Sequence, residues 1–116
     1  MYTSEIQHNG KKIIFTRFSN LSEAEMMEAI KAQFELVKRN PGKVLLLDDF
    51  NNTAVNNEFM NTAKQLGREY GDKIDKYAVL GVTGLKKILL TAYNAFATNP
   101  AHPFSTQDEA VKFLAA

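Results

Sequence analysis

Tyr77 to Leu90 reads YAVLGVTGLKKILL, and the way this stretch divides decides the fold. Tyr77–Val82 is an apolar run too short for a helix, as expected of a strand buried on both faces. Thr83 and Gly84 then open a helix in which Leu85, Ile88, Leu89, Ala92 and Phe96 recur on one face. A buried strand running into an amphipathic helix is half of a strand–helix–strand unit, which implies a parallel pairing nearby.

The same pattern stands one unit upstream. Val44–Leu47 is a second apolar run, followed by the polar turn Asp48-Asp49-Phe50-Asn51-Asn52-Thr53. The next helix carries a stripe of Val55, Phe59, Ala63, Leu66 and Tyr70, and Gly71 closes it. Further upstream, residues 4–8 and Lys11–Phe18 flank Asn9-Gly10, a dipeptide that tolerates positive φ and marks a hairpin. Between hairpin and strand, Ser22 and Glu25 form a capping box, and Leu21 can staple onto Met26. Met27, Ile30, Phe34 and Val37 give that helix its apolar face, Lys38 and Arg39 suit its carbonyl end, and Asn40-Pro41-Gly42 stops it. Downstream, Asn99-Pro100 through Pro103 breaks the third helix and Phe104-Ser105 can form a short strand. Thr106-Gln107-Asp108-Glu109 is a second capping box, before a helix expected to bury Ala110, Phe113 and Leu114. The order β-β-α-β-α-β-α-β-α predicts a single α/β domain over residues 1–116. Its sheet should be mixed, edged by an N-terminal antiparallel hairpin and covered by about four helices.

Composition removes many chemistries. The 116 residues include no Cys, which excludes disulfides, thiolate metal sites and cysteine nucleophiles. His8 and His102 are the two histidines; both read as exposed loop residues, and neither has a neighbour at metal-ligand spacing. No metal and no cofactor is therefore expected. Fourteen basic against 13 acidic residues leave a net charge of +1, so no overall field recruits nucleic acid or an anionic membrane. The N-terminus MYTSEIQHNGKK lacks the apolar core of a secretion signal, and no apolar run approaches the roughly 18 residues of a membrane span. A cytoplasmic protein with at most peripheral membrane contact is the expectation.

From Lys43 to Leu114, three pieces stand together: an apolar strand ending in Asp-Asp-Phe, then YAVLGVTGLKKILLTAYNAF, then FSTQDEAVKFL. Together they resemble the SpoIIAA-like proteins, small domains related to the STAS fold and grouped with SEC14-like lipid-binding domains. GVTGLKKILL at 81–90 is the most specific piece. The resemblance implies a non-catalytic regulatory or binding domain. In the anti-sigma factor antagonists of this kind, a serine opening the helix after the central strand is phosphorylated by a partner kinase. The corresponding stretch here is Asn52–Glu58, and no serine lies between Ser22 and Ser105. Thr53 is the remaining hydroxyl there, and a phosphate on it would meet a helix N-terminus.

Within the junction, Gly81, Thr83, Gly84, Lys86 and Lys87 are candidate ligand-binding residues. Open α/β sheets bind ligands at the carboxyl ends of their strands, and free helical N–H groups favour an anion there. Lys86 and Lys87 oppose the dipole in a first turn, at roughly 0.3–1 kcal/mol each, unless something negative joins them. The same residues also suit a plain helix start with two solvated lysines. Asp48 joins the candidates because it follows the buried run directly, although such an aspartate commonly accepts from loop amides. Expected partners are thus a protein, or a small anionic or lipid-like ligand; Met26, Met27, Phe34, Phe59, Met60 and Phe96 could line an apolar pocket or simply fill the core. The alternatives are a small enzyme using Asp48 or Asp49 with Thr83, and a self-associating module, a homodimer, paired through the hairpin edge.

Overall fold

The computed structural model describes residues 2–95 and 97–116. Phe96, expected on the inner face of the third helix, lies outside the described residues. The elements follow in the order β1 (Thr3–His8), β2 (Lys11–Arg17), α1 (Glu23–Arg39), β3 (Val44–Asp49), α2 (Asn57–Tyr70), β4 (Ile74–Leu80), α3 (Leu85–Asn94), β5 (Ala101–Phe104) and α4 (Gln107–Ala115), with a short 3₁₀ turn at Gly71–Lys73. The sheet order is β1-β2-β3-β4-β5. β1 runs antiparallel to β2, with His8 opposite Lys11 across a turn in which Asn9 and Gly10 both take positive φ. The three remaining pairings are parallel, so the mixed sheet and its four helices match the expected α/β class.

Strand alternation sorts the core into two layers. Ile14, Val44, Leu46, Tyr77 and Val79 face α1, α2 and α3, whereas Ile13, Leu45, Leu47, Ala78 and Leu80 face α4. Both faces of β3 are covered, which is why its sequence reads as an unbroken apolar run. The Ser22–Glu25 capping box forms as expected, and Thr106 caps α4 through Glu109. Lys73 adds a closure no local pattern announced: its ammonium donates to the carbonyls of Lys38 (3.1 Å) and Asn40 at the end of α1.

Several boundaries differ from expectation. β4 starts at Ile74, which pairs with Val44, and it ends at Leu80, where Gly81 at φ +73° takes the chain out of the sheet. β5 is Ala101–Phe104 and not Phe104-Ser105; Pro103 is accommodated because β5 is an edge strand whose outer side needs no donor. α2 begins at Asn57, because the Asn56 side chain accepts from the Phe59 N–H at 2.7 Å, and Val55 therefore precedes the helix. Phe113 is half-buried, in tilted contact with the Phe104 and His102 rings and covered by the Lys76 ammonium 5.5 Å above its ring. The histidines lie in strands, His8 ending β1 half-buried and His102 exposed on β5.

The largest correction concerns α3. Leu85 and Ile88, expected inside, are 69% and 66% exposed. The inward positions are Lys86, Leu89, Leu90 and Tyr93, one residue round from the expected stripe. LKKILLTAYN contains two overlapping sets at helical spacing, and Tyr93 decides between them. Its ring meets Tyr77 edge-on at 6.3 Å and lies against Gly67 of α2, where an added Cβ would stand 2.7 Å from the hydroxyl. The larger aromatic takes the site, and Leu85 and Ile88 turn outward with the helix.

Candidate functional site

The strand ends around the junction are tied to one another by backbone bonds. The Phe18 N–H donates to the Asp49 carbonyl at 2.9 Å, and the Phe50 N–H to the Leu80 carbonyl at 2.9 Å. Gly81 holds this arrangement, because a Cβ there would stand 2.5 Å from the Asn51 nitrogen. Thr83, Gly84 and Lys87 are exposed, and α3 begins at Leu85 after Gly84, which offers no side-chain cap. Lys86 behaves differently from its neighbour. It turns inward and donates to the Phe50 carbonyl at 2.8 Å, and among the described residues no carboxylate lies within ion-pair distance of it.

Beneath Lys86, between α2, α3 and the sheet, lies an apolar cavity of about 50 Å³. Phe50, Phe59, Met60, Leu90 and Tyr93 are among the residues that line it. Phe18 stacks on Phe50 with centroids 4.8 Å apart, and Phe59 meets both rings edge-on, which makes that wall rigid. Burial, and secondarily the charge of Asp48, pushes the Tyr93 hydroxyl up to about 12, so Tyr93 remains a neutral donor at the cavity wall.

Asp48 does not open onto the junction. It is fully buried, facing α1, where the Gln33 amide and the Tyr77 hydroxyl both donate to its carboxylate. The network continues from Gln33 to the Thr16 hydroxyl at 3.0 Å, and from Thr16 to Thr3 at 3.1 Å. Burial raises the Asp48 carboxyl from 3.8 to about 7 against the lowering effect of its two donors, Tyr77 and Gln33. The same burial, with the Asp48 charge, raises Tyr77 well above its ordinary value. Gln33 Oε1 is buried without a hydrogen-bond partner among the described residues.

The expected association of Asp48 with loop amides belongs instead to Asp49, whose carboxylate accepts from the Asn51 N–H at 2.9 Å and the Asn51 side chain at 2.7 Å. Asp48, Asp49 and Thr83 thus occupy three environments: the core, the half-buried end of β3 against its following turn, and solvent. Thr53 stands ahead of the Asn56 cap and donates to the Met26 sulfur at 3.2 Å, so its hydroxyl points at α1 and not at the α2 N-terminus. Gln33, Thr16 and Tyr77 escaped the sequence reading, although a Gln three residues after Ile30 and four before Val37 on an apolar stripe is a signal of a buried polar partner. Among the described residues no cluster of His, Asp and Glu could hold a metal ion, and no helix is long and apolar enough to cross a membrane.

No protein-family model matches the sequence, and no curated protein matches it. A solved structure is similar: an uncharacterized protein of the DUF3478 family with a SpoIIAA-like fold, from Shewanella loihica PV-4. The two superpose with a TM-score of 0.65 at 13% identity, over 97% of this chain and 91% of the other. At that identity the likeness is one of fold. With a TM-score of 0.65 over nearly the whole of both chains, the chain has a SpoIIAA-like fold.

Proposed function

We propose that this chain is a non-catalytic binding domain whose ligand is a small amphiphile. The apolar part enters the cavity beneath α3, and the anionic part meets Lys86. One observation carries this: an ammonium stands at the rim of an apolar cavity with a neutral carbonyl as its partner. The Phe50 carbonyl offers Lys86 a dipole and no charge, so an incoming carboxylate or phosphate adds the Coulomb attraction of an ion pair at the rim of a low-dielectric cavity and displaces it with a net gain. The cavity admits only the end of a chain as it stands, and entry of more requires α3 to move outward. α3 suits that motion, being short and without a side-chain cap at its start.

Titration with decanoate, decanol and inorganic phosphate tests the assignment. Decanoate should bind saturably and more tightly than either control. Lys86→Met should weaken decanoate by about tenfold, the usual worth of a charge-assisted bond, and leave decanol unchanged. Lys87→Glu, on the exposed side, should leave decanoate binding nearly intact. Equal binding of decanoate by wild type and Lys86→Met, or none by wild type, overturns it.

A further inference from the structure

Leu85 and Ile88 are the exposed large apolar side chains among the described residues, and they stand one helical turn apart at the start of α3. Lys87 is exposed in the same turn, and α3 carries no acidic residue. Thr91 continues the outer face, with its hydroxyl donating to the Lys87 carbonyl at 3.0 Å, so the helix itself satisfies that polar group. From these features we infer that the outer face of α3 is a docking surface for an anionic lipid bilayer, with Leu85 and Ile88 entering the headgroup boundary and Lys87 meeting the lipid charge.

Two observations select a bilayer over a protein. A standard protein interface buries about 800 Å² on each partner. Exposed large apolar residues occur here in a single turn, too little surface for the core of such an interface. Further, exposed apolar residues in one turn with a lysine, on a helix that carries no acidic residue, is the pattern that binds headgroup regions, where shallow insertion and charge add. The net charge of +1 concealed this, because the acidic residues that balance α3 lie on other elements. The inference concerns the opposite face of the helix from the cavity and requires no ligand inside it.

Co-sedimentation of the ligand-free full chain with phosphatidylcholine vesicles, with and without phosphatidylglycerol, tests it. Wild type should pellet with the anionic vesicles. The double variant Leu85→Ser, Ile88→Ser should lose at least roughly tenfold in binding. Lys87→Gln should lose about fivefold, the equivalent of one cation at the surface. Both variants alter exposed positions, so thermal melting should remain close to wild type. Absence of binding to anionic vesicles, or unchanged binding in both variants, overturns the inference. So does sedimentation velocity that shows a vesicle-free dimer abolished by the double variant, which would assign the face to a second copy. Failure here leaves the decanoate titration to stand or fall separately, since that binding is read without vesicles.

Discussion

The Tyr77 hydroxyl on β4 donates to the Asp48 carboxylate on the adjacent strand β3, in the layer beneath the helices where the carboxylate meets no solvent. Gln33 donates to it from α1, so one acidic side chain joins two strands and a helix. Two donors satisfy a carboxylate only in part, and no cation is among its partners. Burial therefore governs its titration.

Stability should fall as pH rises. The Asp48 carboxyl titrates near 7 when folded and near its ordinary 3.8 when unfolded. Between those values the folded chain holds the proton and the unfolded chain does not, so the contribution is full below about 4 and lost through 7. The slope within the window approaches about 1.4 kcal/mol per pH unit. Urea unfolding at a series of pH values measures it. Asp48→Asn should flatten the profile and exceed wild type in stability at pH above the folded titration, because the neutral amide still accepts from Tyr77. A flat wild-type profile would contradict the assignment.

Tyr77→Phe should cost more at high pH than at low pH. Removing the hydroxyl leaves an ionised buried carboxylate with Gln33 alone, a loss of about 1–3 kcal/mol. Once Asp48 is protonated, the missing donor matters less. The same variant should move the Asp48 titration upward, readable by following the carboxyl resonance by NMR.

The two junction glycines should differ in tolerance. Gly81→Ala meets both a positive φ of +73° and a backbone nitrogen 2.5 Å from the new Cβ, and should cost at least about 2 kcal/mol. Gly84, at φ +58° with nothing within 4 Å, faces conformational strain alone, so Gly84→Ala should cost about 1 kcal/mol. Equal costs in urea melts would mean that Asn51 yields readily.

Filling the cavity should separate stability from binding. Ala101 is buried on β5 and lines the cavity, and valine suits a strand. Ala101→Val should stabilise by up to about 1 kcal/mol while reducing decanoate binding. A variant that melts higher and binds as wild type does would place the ligand elsewhere.

Much of the fold was legible because its signals are local. Ser22 with Glu25 and Asn9-Gly10 each specify a backbone geometry within a few residues, and both form. Of the second box only the N-cap half is present, Thr106 accepting from the Glu109 N–H while the Glu109 carboxylate accepts from the Thr106 hydroxyl and not from its N–H. The unbroken apolar run at Val44–Leu47 announced a strand with both faces covered. β5 was misplaced because Pro103 reads as a breaker, and only its position at the sheet edge makes it acceptable.

By itself, then, the sequence determined the order of elements, the Ser22 and Thr106 caps and the mixed sheet, since periodicity and capping act over one or two turns of chain. Tertiary structure alone decided which face of α3 turns inward and what Asp48 touches. In α3 two apolar stripes overlap, and the choice fell to Tyr93, which fits against Gly67 and Tyr77 on other elements. In β3 the alternation that places Leu46 inside also carries Asp48 inside, beneath a helix whose Gln33 is far away in the chain. Periodicity shows that a side chain lies on a face, but the partner waiting across that face comes from packing between distant segments.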